Sequence, residues 1–143
     1  MNNDTIALLK ECNAGIKMGE SAIKRVLPKV SSGELRHALE VCKDTHVQLG
    51  DRTHSLLLEC GADTKPSHAI ANVMSTVKIS VSLFVNESDS TVASLMTDGI
   101  NMGIKSLSKY LNKYKYADSR SKAIAKELIA SEEYLGVNMR EFL

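Results

Sequence analysis

The amino-acid sequence predicts an all-α protein, a four-helix bundle that forms one domain over residues 1–143. Three observations support this prediction. Apolar side chains recur at intervals of three and four residues along most of the chain, which is the spacing of one helix face. Trp is absent, only two Pro and two Phe occur, and the common residues Ala, Leu, Lys and Glu favour helix over sheet. A chain of this length fits one domain and can bury an aliphatic core.

The first part of the chain predicts a helical hairpin. Helix 1 is expected over 4–27, and Pro28 ends it. Residues 31–34, Ser-Ser-Gly-Glu, are typical of a capping box, so helix 2 is expected from there to about Cys60, with Gly61 as its stop. The seam of helix 2 alternates steps of four and three residues without a break, which is the pattern of a bundle helix: Leu35, Leu39, Cys42, His46, Leu49, Thr53, Leu56 and Cys60.

The second part predicts two more helices and a long connection. Residues 66–85 begin with a proline, which favours the first turn of a helix. A helix of that length would extend about 30 Å, which is the length of the bundle itself. We therefore expect 66–85 to be a helical crossover between two helical hairpins. The last two helices are expected over 91–114 and 119–141, each preceded by polar residues that can cap it: Asp89 or Ser90, and Asp118 or Ser119.

Three ionisable residues lie on the predicted apolar stripes when successive residues are placed about 100° apart. Glu20 lies on helix 1, His46 at the centre of the helix 2 seam, and Glu132 on the last helix. Burying such groups unpaired is costly, so they should contact one another, a metal ion or water. Glu20, His46 and Glu132 are therefore candidate metal ligands, and imidazole with carboxylates suits iron, manganese or zinc.

The ligand set of a ferritin-like metal centre is nevertheless incomplete. Such a centre uses a Glu on each of two helices and a Glu-x-x-His pair on each of the other two. Leu135 occupies the position where Glu132 would need a histidine, and Lys43 the position where His46 would need a glutamate. The sequence therefore favours a buried polar cluster without metal over a degenerate or mononuclear site, and it predicts no catalytic residue.

Two glycines, Gly99 and Gly103, lie on the stripe of the helix expected over 91–114. Two glycines inside a helix cost roughly 1 kcal/mol each relative to Ala, so a structural or functional reason is expected. The preferred interpretation is a close crossing with a neighbouring helix. The alternative is the wall of a ligand pocket, with Asp98 and Asn101 as its polar groups.

Charge and cysteine content exclude several classes of protein. Eighteen basic and seventeen acidic residues nearly cancel, so neither nucleic acid nor an anionic membrane is an expected partner. The most apolar stretch, 70–85, contains too many polar residues to span a bilayer. Cys12, Cys42 and Cys60 form no C-x-x-C pair and are expected as reduced thiols in the core of a cytoplasmic protein.

Three stretches carry a resemblance to a known family: 34–49, 95–107 and 125–140. Together they resemble a family of uncharacterised bacterial ferritin-like proteins, a four-helix-bundle domain of unknown function. The resemblance implies the fold and not an activity. The hairpin over 4–60 is also similar to the spore-coat type of two-helix ferritin-like domain.

Three functional hypotheses follow. The first is a non-enzymatic bundle that acts through self-association, as a dimer or larger homo-oligomer, or through protein interaction, with a role related to stress or sporulation. The alternative is a ferritin-like metalloprotein with a degenerate or mononuclear site in the bundle core. Ligand binding in a pocket beside Gly99 and Gly103 is a third hypothesis, for which the sequence offers only the glycines.

Overall fold

The structure, a computed structural model, describes residues 2–65 and 88–143. Those residues form four long α-helices packed on one another and no β-strand, so the predicted all-α class is confirmed. The helices are α1 Asn3–Val26, α2 Gly33–Glu59, α3 Asp89–Lys113 and α4 Ser119–Met139. Short 3-10 turns, Leu27–Lys29 and Arg140–Phe142, follow α1 and α4. The crossover helix predicted over 66–85 lies outside the described residues.

Each helix begins after a short polar side chain that accepts a backbone N–H of the first turn, which satisfies a donor that the helix itself leaves free. The cap of α3 lies earlier than the sequence predicts, because Asp89 makes a different contact. The four pairs of cap and donor are Asn2 with Thr5, Ser32 with Leu35, Ser88 with Thr91 and Asp118 with Ser121.

The helices form two antiparallel hairpins, α1 with α2 and α3 with α4, which pack side by side. The Asp89 carboxylate accepts hydrogen bonds from the backbone N–H groups of Ser31 (2.8 Å) and Ser32 (3.0 Å), so α3 starts at the end of the bundle where α2 starts. The N–H of Asp118 donates to the Thr5 hydroxyl (2.8 Å), which places the start of α4 beside the start of α1. Helices α2 and α3 therefore run in the same direction, and the end of α2 and the start of α3 lie at opposite ends of the bundle.

The core of the described residues consists of two separate clusters of buried apolar side chains, one toward each end of the bundle. The proximal cluster lies near the start of α1 and includes Leu8, Leu9, Cys12, Ile16, Leu49, Leu57, Leu107, Ile124 and Leu128. The distal cluster lies near the end of α1 and includes Ile23, Val26, Leu35, Leu39, Cys42, Met96, Ile100, Leu135 and Met139. The seam predicted for α2 is buried from Leu35 to Thr53, whereas near the end of the helix Leu57 is buried and the predicted Leu56 and Cys60 are half-buried.

No helix within the described residues combines the length and the apolar character that crossing a bilayer requires.

Replacing Asp89 with Ala should lower the free energy of unfolding by about 1–2 kcal/mol, because two hydrogen bonds to a charged acceptor are lost at a partly exposed site. Urea denaturation measures the change. Ser90→Ala is the matched control, since Ser90 is exposed in the same turn, and should change stability by less than about 0.5 kcal/mol. Equal effects of the two substitutions would contradict the assignment of Asp89 as the contact between the hairpins.

Candidate functional site

A layer without aliphatic side chains separates the two core clusters, and each helix contributes one residue to it. The four residues are Gly19 on α1, His46 on α2, Gly103 on α3 and Glu132 on α4. On each helix the layer residue stands three or four positions from a member of the proximal cluster and three or four from a member of the distal cluster. The layer therefore lies at the middle of the bundle, where apolar side chains would otherwise continue the core from one cluster to the other.

His46 is held in one orientation by its own helix. Its Nδ1 lies 2.8 Å from the backbone oxygen of Cys42, one turn earlier. A carbonyl oxygen only accepts hydrogen bonds, so Nδ1 carries the hydrogen and donates it. The Cys42 Sγ lies 3.6 Å from the same nitrogen. The other ring nitrogen, Nε2, is thereby directed away from α2 and lies 3.8 Å from the Oε1 atom of Glu132.

The His46–Glu132 pair is buried and its hydrogen bonding is incomplete. The two residues are 1% and 7% exposed, and 3.8 Å is longer than a direct hydrogen bond. Neither the Nε2 atom of His46 nor the Oε2 atom of Glu132 has a hydrogen-bond partner within the part of the chain that the structure describes. Leaving a buried polar atom unpaired costs about 1–3 kcal/mol, so this layer carries a free-energy cost.

Electrostatics keep a proton on the pair. Burial alone lowers the pKa of His46, but the contacts with Cys42 and Glu132 raise it more, and the net result is a pKa of about 10. Burial raises the pKa of the Glu132 carboxyl, and His46 offsets part of that rise. Near neutral pH the pair therefore holds one shared proton, as imidazolium and carboxylate, and its net charge is zero.

The two glycines of the layer make room for this pair. A Cβ atom on Gly19 would lie 2.5 Å from the Nε2 atom of His46, and one on Gly103 would lie 2.5 Å from the Oε2 atom of Glu132. Both distances are far inside van der Waals contact. The imidazole and the carboxylate therefore occupy the spaces that side chains on α1 and α3 would fill, and any larger residue at these positions displaces them.

A cavity of about 100 Å³ lies between α1 and α3 and reaches inward to the pair. Its walls are apolar side chains of the two helices, among them Met18, Ala22, Met96 and Met102. Its inner part is lined by Cys42, His46 and Glu132. Asp98, which is exposed, also lines the cavity. The cavity therefore combines an apolar wall with an inner surface on which the Nε2 atom of His46 and the Oε2 atom of Glu132 have no hydrogen-bond partner among the described residues.

The structure brings together two of the three predicted metal-ligand candidates. His46 and Glu132 meet, whereas Glu20 is half-buried and faces Gly50 on the side of α1 that packs against α2. Gly19 takes the inward position instead, because adjacent residues on a helix differ by about 100° in direction. Within the described residues, no group of three or more His, Cys, Asp or Glu is placed to hold a metal ion.

The two glycines of α3 have different environments, so neither interpretation from the sequence describes both. Gly103 allows a close approach, but to the Glu132 side chain rather than to the backbone of a crossing helix. Gly99 lines the cavity and a Cβ there would meet nothing within 4 Å. Asp98 lines the cavity as the pocket hypothesis expects, whereas Asn101 is exposed and does not.

Two of the three cysteines are buried as predicted, Cys12 and Cys42, while Cys60 is half-buried at the end of α2. Burial raises the pKa of the Cys12 thiol to about 12. Cys12 is therefore an unreactive core residue.

Comparison with protein families, with curated proteins and with solved structures finds no match to this chain. The resemblance to bacterial ferritin-like proteins therefore stays a prediction. The expected self-association, the protein-interaction role and the metal site also stay predictions.

Gly103→Ala should lower the free energy of unfolding by about 1–2 kcal/mol, because the added methyl group overlaps the Glu132 carboxylate and the overpacking outweighs the gain in helix propensity. Gly99→Ala, one turn away on the same helix, is the matched control. It should raise stability by about 0.5–1 kcal/mol, since its methyl group meets open space. Thermal and urea denaturation of both variants measure the difference, and a stabilised Gly103→Ala protein would show that the two side chains do not need this space.

Replacing either member of the pair alone, His46→Leu or Glu132→Met, should destabilise the protein by about 1–3 kcal/mol, because the remaining partner stays buried and unpaired. The double variant should lose no more than about 1 kcal/mol relative to the wild type, because apolar residues can often replace a buried polar pair. A double-mutant cycle of unfolding free energies tests this. Additive losses would instead mean that the two side chains do not interact and that each stabilises the fold independently.

Proposed function

We propose that this protein is a non-enzymatic ligand-binding bundle whose cavity takes a small, mostly apolar molecule with one polar group. The observation that carries the proposal is the pair of unpaired buried atoms, His46 Nε2 and Glu132 Oε2, on residues that line an apolar cavity. The polar group of the ligand would hydrogen-bond to these atoms, and its apolar part would contact the side chains of α1 and α3.

The cost of the polar layer supports a role in binding. Aliphatic residues at these four positions would join the two core clusters and avoid unpaired polar atoms. The chain instead places a His and a Glu there, and a glycine against each. Stability therefore does not explain the layer, whereas ligand binding does, because a bound polar group supplies the missing hydrogen bonds.

The size and walls of the cavity indicate the kind of ligand. A cavity of about 150 Å³ holds benzene, so about 100 Å³ accommodates roughly four or five non-hydrogen atoms. Three of the wall residues are methionines, Met18, Met96 and Met102. Their flexible and polarisable side chains adapt to different apolar shapes.

We further propose that the bundle is ferritin-like but does not use the layer as a dinuclear metal centre. The parallel directions of α2 and α3 support the topology, because ferritin-like bundles have one long connection of this kind. The residues present do not fit the metal centre. Gly19 and Gly103 stand where two helices would supply carboxylates, and their side-chain space is already filled by His46 and Glu132.

The proposal predicts that 1-butanol binds in the cavity with a dissociation constant of roughly 0.1–10 mM, within the limit for a ligand of so few atoms. Titration followed by two-dimensional NMR should shift the amide signals of Ala22, His46 and Gly99 in a saturable way. Ala22→Leu, which fills the cavity, should remove these shifts.

Ser94→Leu is the matched control, because it adds the same side chain at an exposed position of α3. It should leave the binding of 1-butanol unchanged. Zn²⁺ and Mn²⁺ are titrated in parallel. Failure of 1-butanol to bind, together with a stoichiometric metal that His46→Leu removes, would replace the proposal with the metalloprotein hypothesis.

A further inference from the structure

We propose that the ligand of the cavity is a short primary alcohol, whose hydroxyl group accepts one hydrogen bond from the pair of His46 and Glu132 and donates another to it. The inference rests on the proposed function, since it names the class of ligand for the same cavity. Three features carry it: the one donor and one acceptor that the pair presents, the distance between them, and the apolar side chains around them.

The pair presents one hydrogen-bond donor and one acceptor to a ligand. The Nδ1 atom of His46 donates its hydrogen to the Cys42 carbonyl oxygen, so Nε2 is the ring nitrogen that can bind a ligand. In the pair of imidazolium and carboxylate, Nε2–H donates and Glu132 accepts. Transfer of the shared proton to the Glu132 carboxyl would exchange these two roles and leave their number the same. A ligand that both accepts and donates therefore binds without changing the number of protons on the pair.

The distance between the two residues suits a single oxygen atom that bonds to both. The Nε2 atom of His46 and the Oε1 atom of Glu132 are 3.8 Å apart, which is too long for a direct hydrogen bond. An oxygen atom at about 2.8–2.9 Å from each bridges them. A hydroxyl oxygen accepts from Nε2–H while its own O–H donates to the carboxylate. An ether or ketone oxygen only accepts, so it leaves the carboxylate without a partner.

The charge of the pair disfavours ionic ligands. Among the described residues that line the cavity, the charged or titratable groups are Cys42 and His46 on α2, Asp98 on α3 and Glu132 on α4, and α1 contributes none. The pair has zero net charge, and Asp98 is exposed to solvent, which screens it. An ammonium ion has no acceptor for Nε2–H, and a carboxylate has no donor for Glu132. Either ion would also add an uncompensated charge to a buried site.

The apolar walls distinguish an alcohol from water, which also donates and accepts. Met18, Ala22 and Met96 line the cavity, and an alkyl chain in contact with them is removed from water. Each buried methylene group strengthens binding roughly fourfold. A cavity of about 100 Å³ accommodates roughly four or five non-hydrogen atoms, so affinity should rise with chain length up to 1-butanol.

The test compares 1-butanol with methyl propyl ether, butylammonium and butyrate. Methyl propyl ether is an isomer of 1-butanol that lacks a donor. NMR titration of the wild-type protein at neutral pH and constant ionic strength gives the four affinities. 1-Butanol should bind more tightly than each of the others by about fivefold or more, because each of them loses a hydrogen bond to a charged group or buries a charge. A smaller difference from any of the three would overturn this class of ligand and leave the proposed function standing. If none of the four binds, the proposed function fails as well.

Methanol tests the contribution of the walls, because it keeps the hydroxyl group and lacks three methylene groups. It should bind at least about tenfold more weakly than 1-butanol. Equal affinities would contradict both proposals, since the apolar side chains would then contribute nothing.

The double variant His46→Leu/Glu132→Met removes the donor and the acceptor together and should remain folded, as argued above for this pair. It should bind 1-butanol no more tightly than methyl propyl ether, because neither ligand then finds a hydrogen-bond partner. Glu133→Met, at the adjacent exposed position, should keep the wild-type preference. A folded double variant that still prefers 1-butanol would overturn the assignment of the pair. Should the double variant fail to fold, the order of affinities in the wild-type protein decides the question.

Discussion

The contact between His46 and Glu132 at the middle of the bundle is the constraint on which the other features depend. Each side chain comes from a different hairpin, and the two meet only because four helices pack around one axis. Gly19 and Gly103 are required because the imidazole and the carboxylate fill their side-chain space. The division of the core into two clusters follows, since these four residues leave the layer without an aliphatic side chain.

Most of the fold could be predicted from the sequence, because a helix stripe is a local pattern. Helix 1 was expected over 4–27 and is Asn3–Val26, and the last helix was expected over 119–141 and ends at Met139. The caps were harder to predict, because neighbouring polar residues are chemically equivalent until a tertiary contact distinguishes them. The Asp89 side chain bonds to the turn between α1 and α2, which leaves Ser88 to cap α3.

The candidate site could be predicted only in part. His46 and Glu132 stand at the centres of their stripes, so their inward direction was evident from spacing. Glu20 was placed inward although Gly19 holds that position. An error of one residue turns a side chain by about 100°, and near the edge of a stripe only packing decides the outcome. The sequence contains no signal for the cavity, because a cavity depends on the sizes of side chains that come together only in the folded protein.

The two-cluster core has a consequence for how a molecule reaches the interior. Apolar side chains fill the bundle toward both ends. In the middle layer, by contrast, the glycines of α1 and α3 face the pair of His46 and Glu132. Separating α1 and α3 at this layer exposes less apolar surface than separating them at either end of the bundle. Because the exposed residues Asp98 and Met102 line the cavity, a small molecule can approach the polar pair from the side of the bundle while both ends remain assembled.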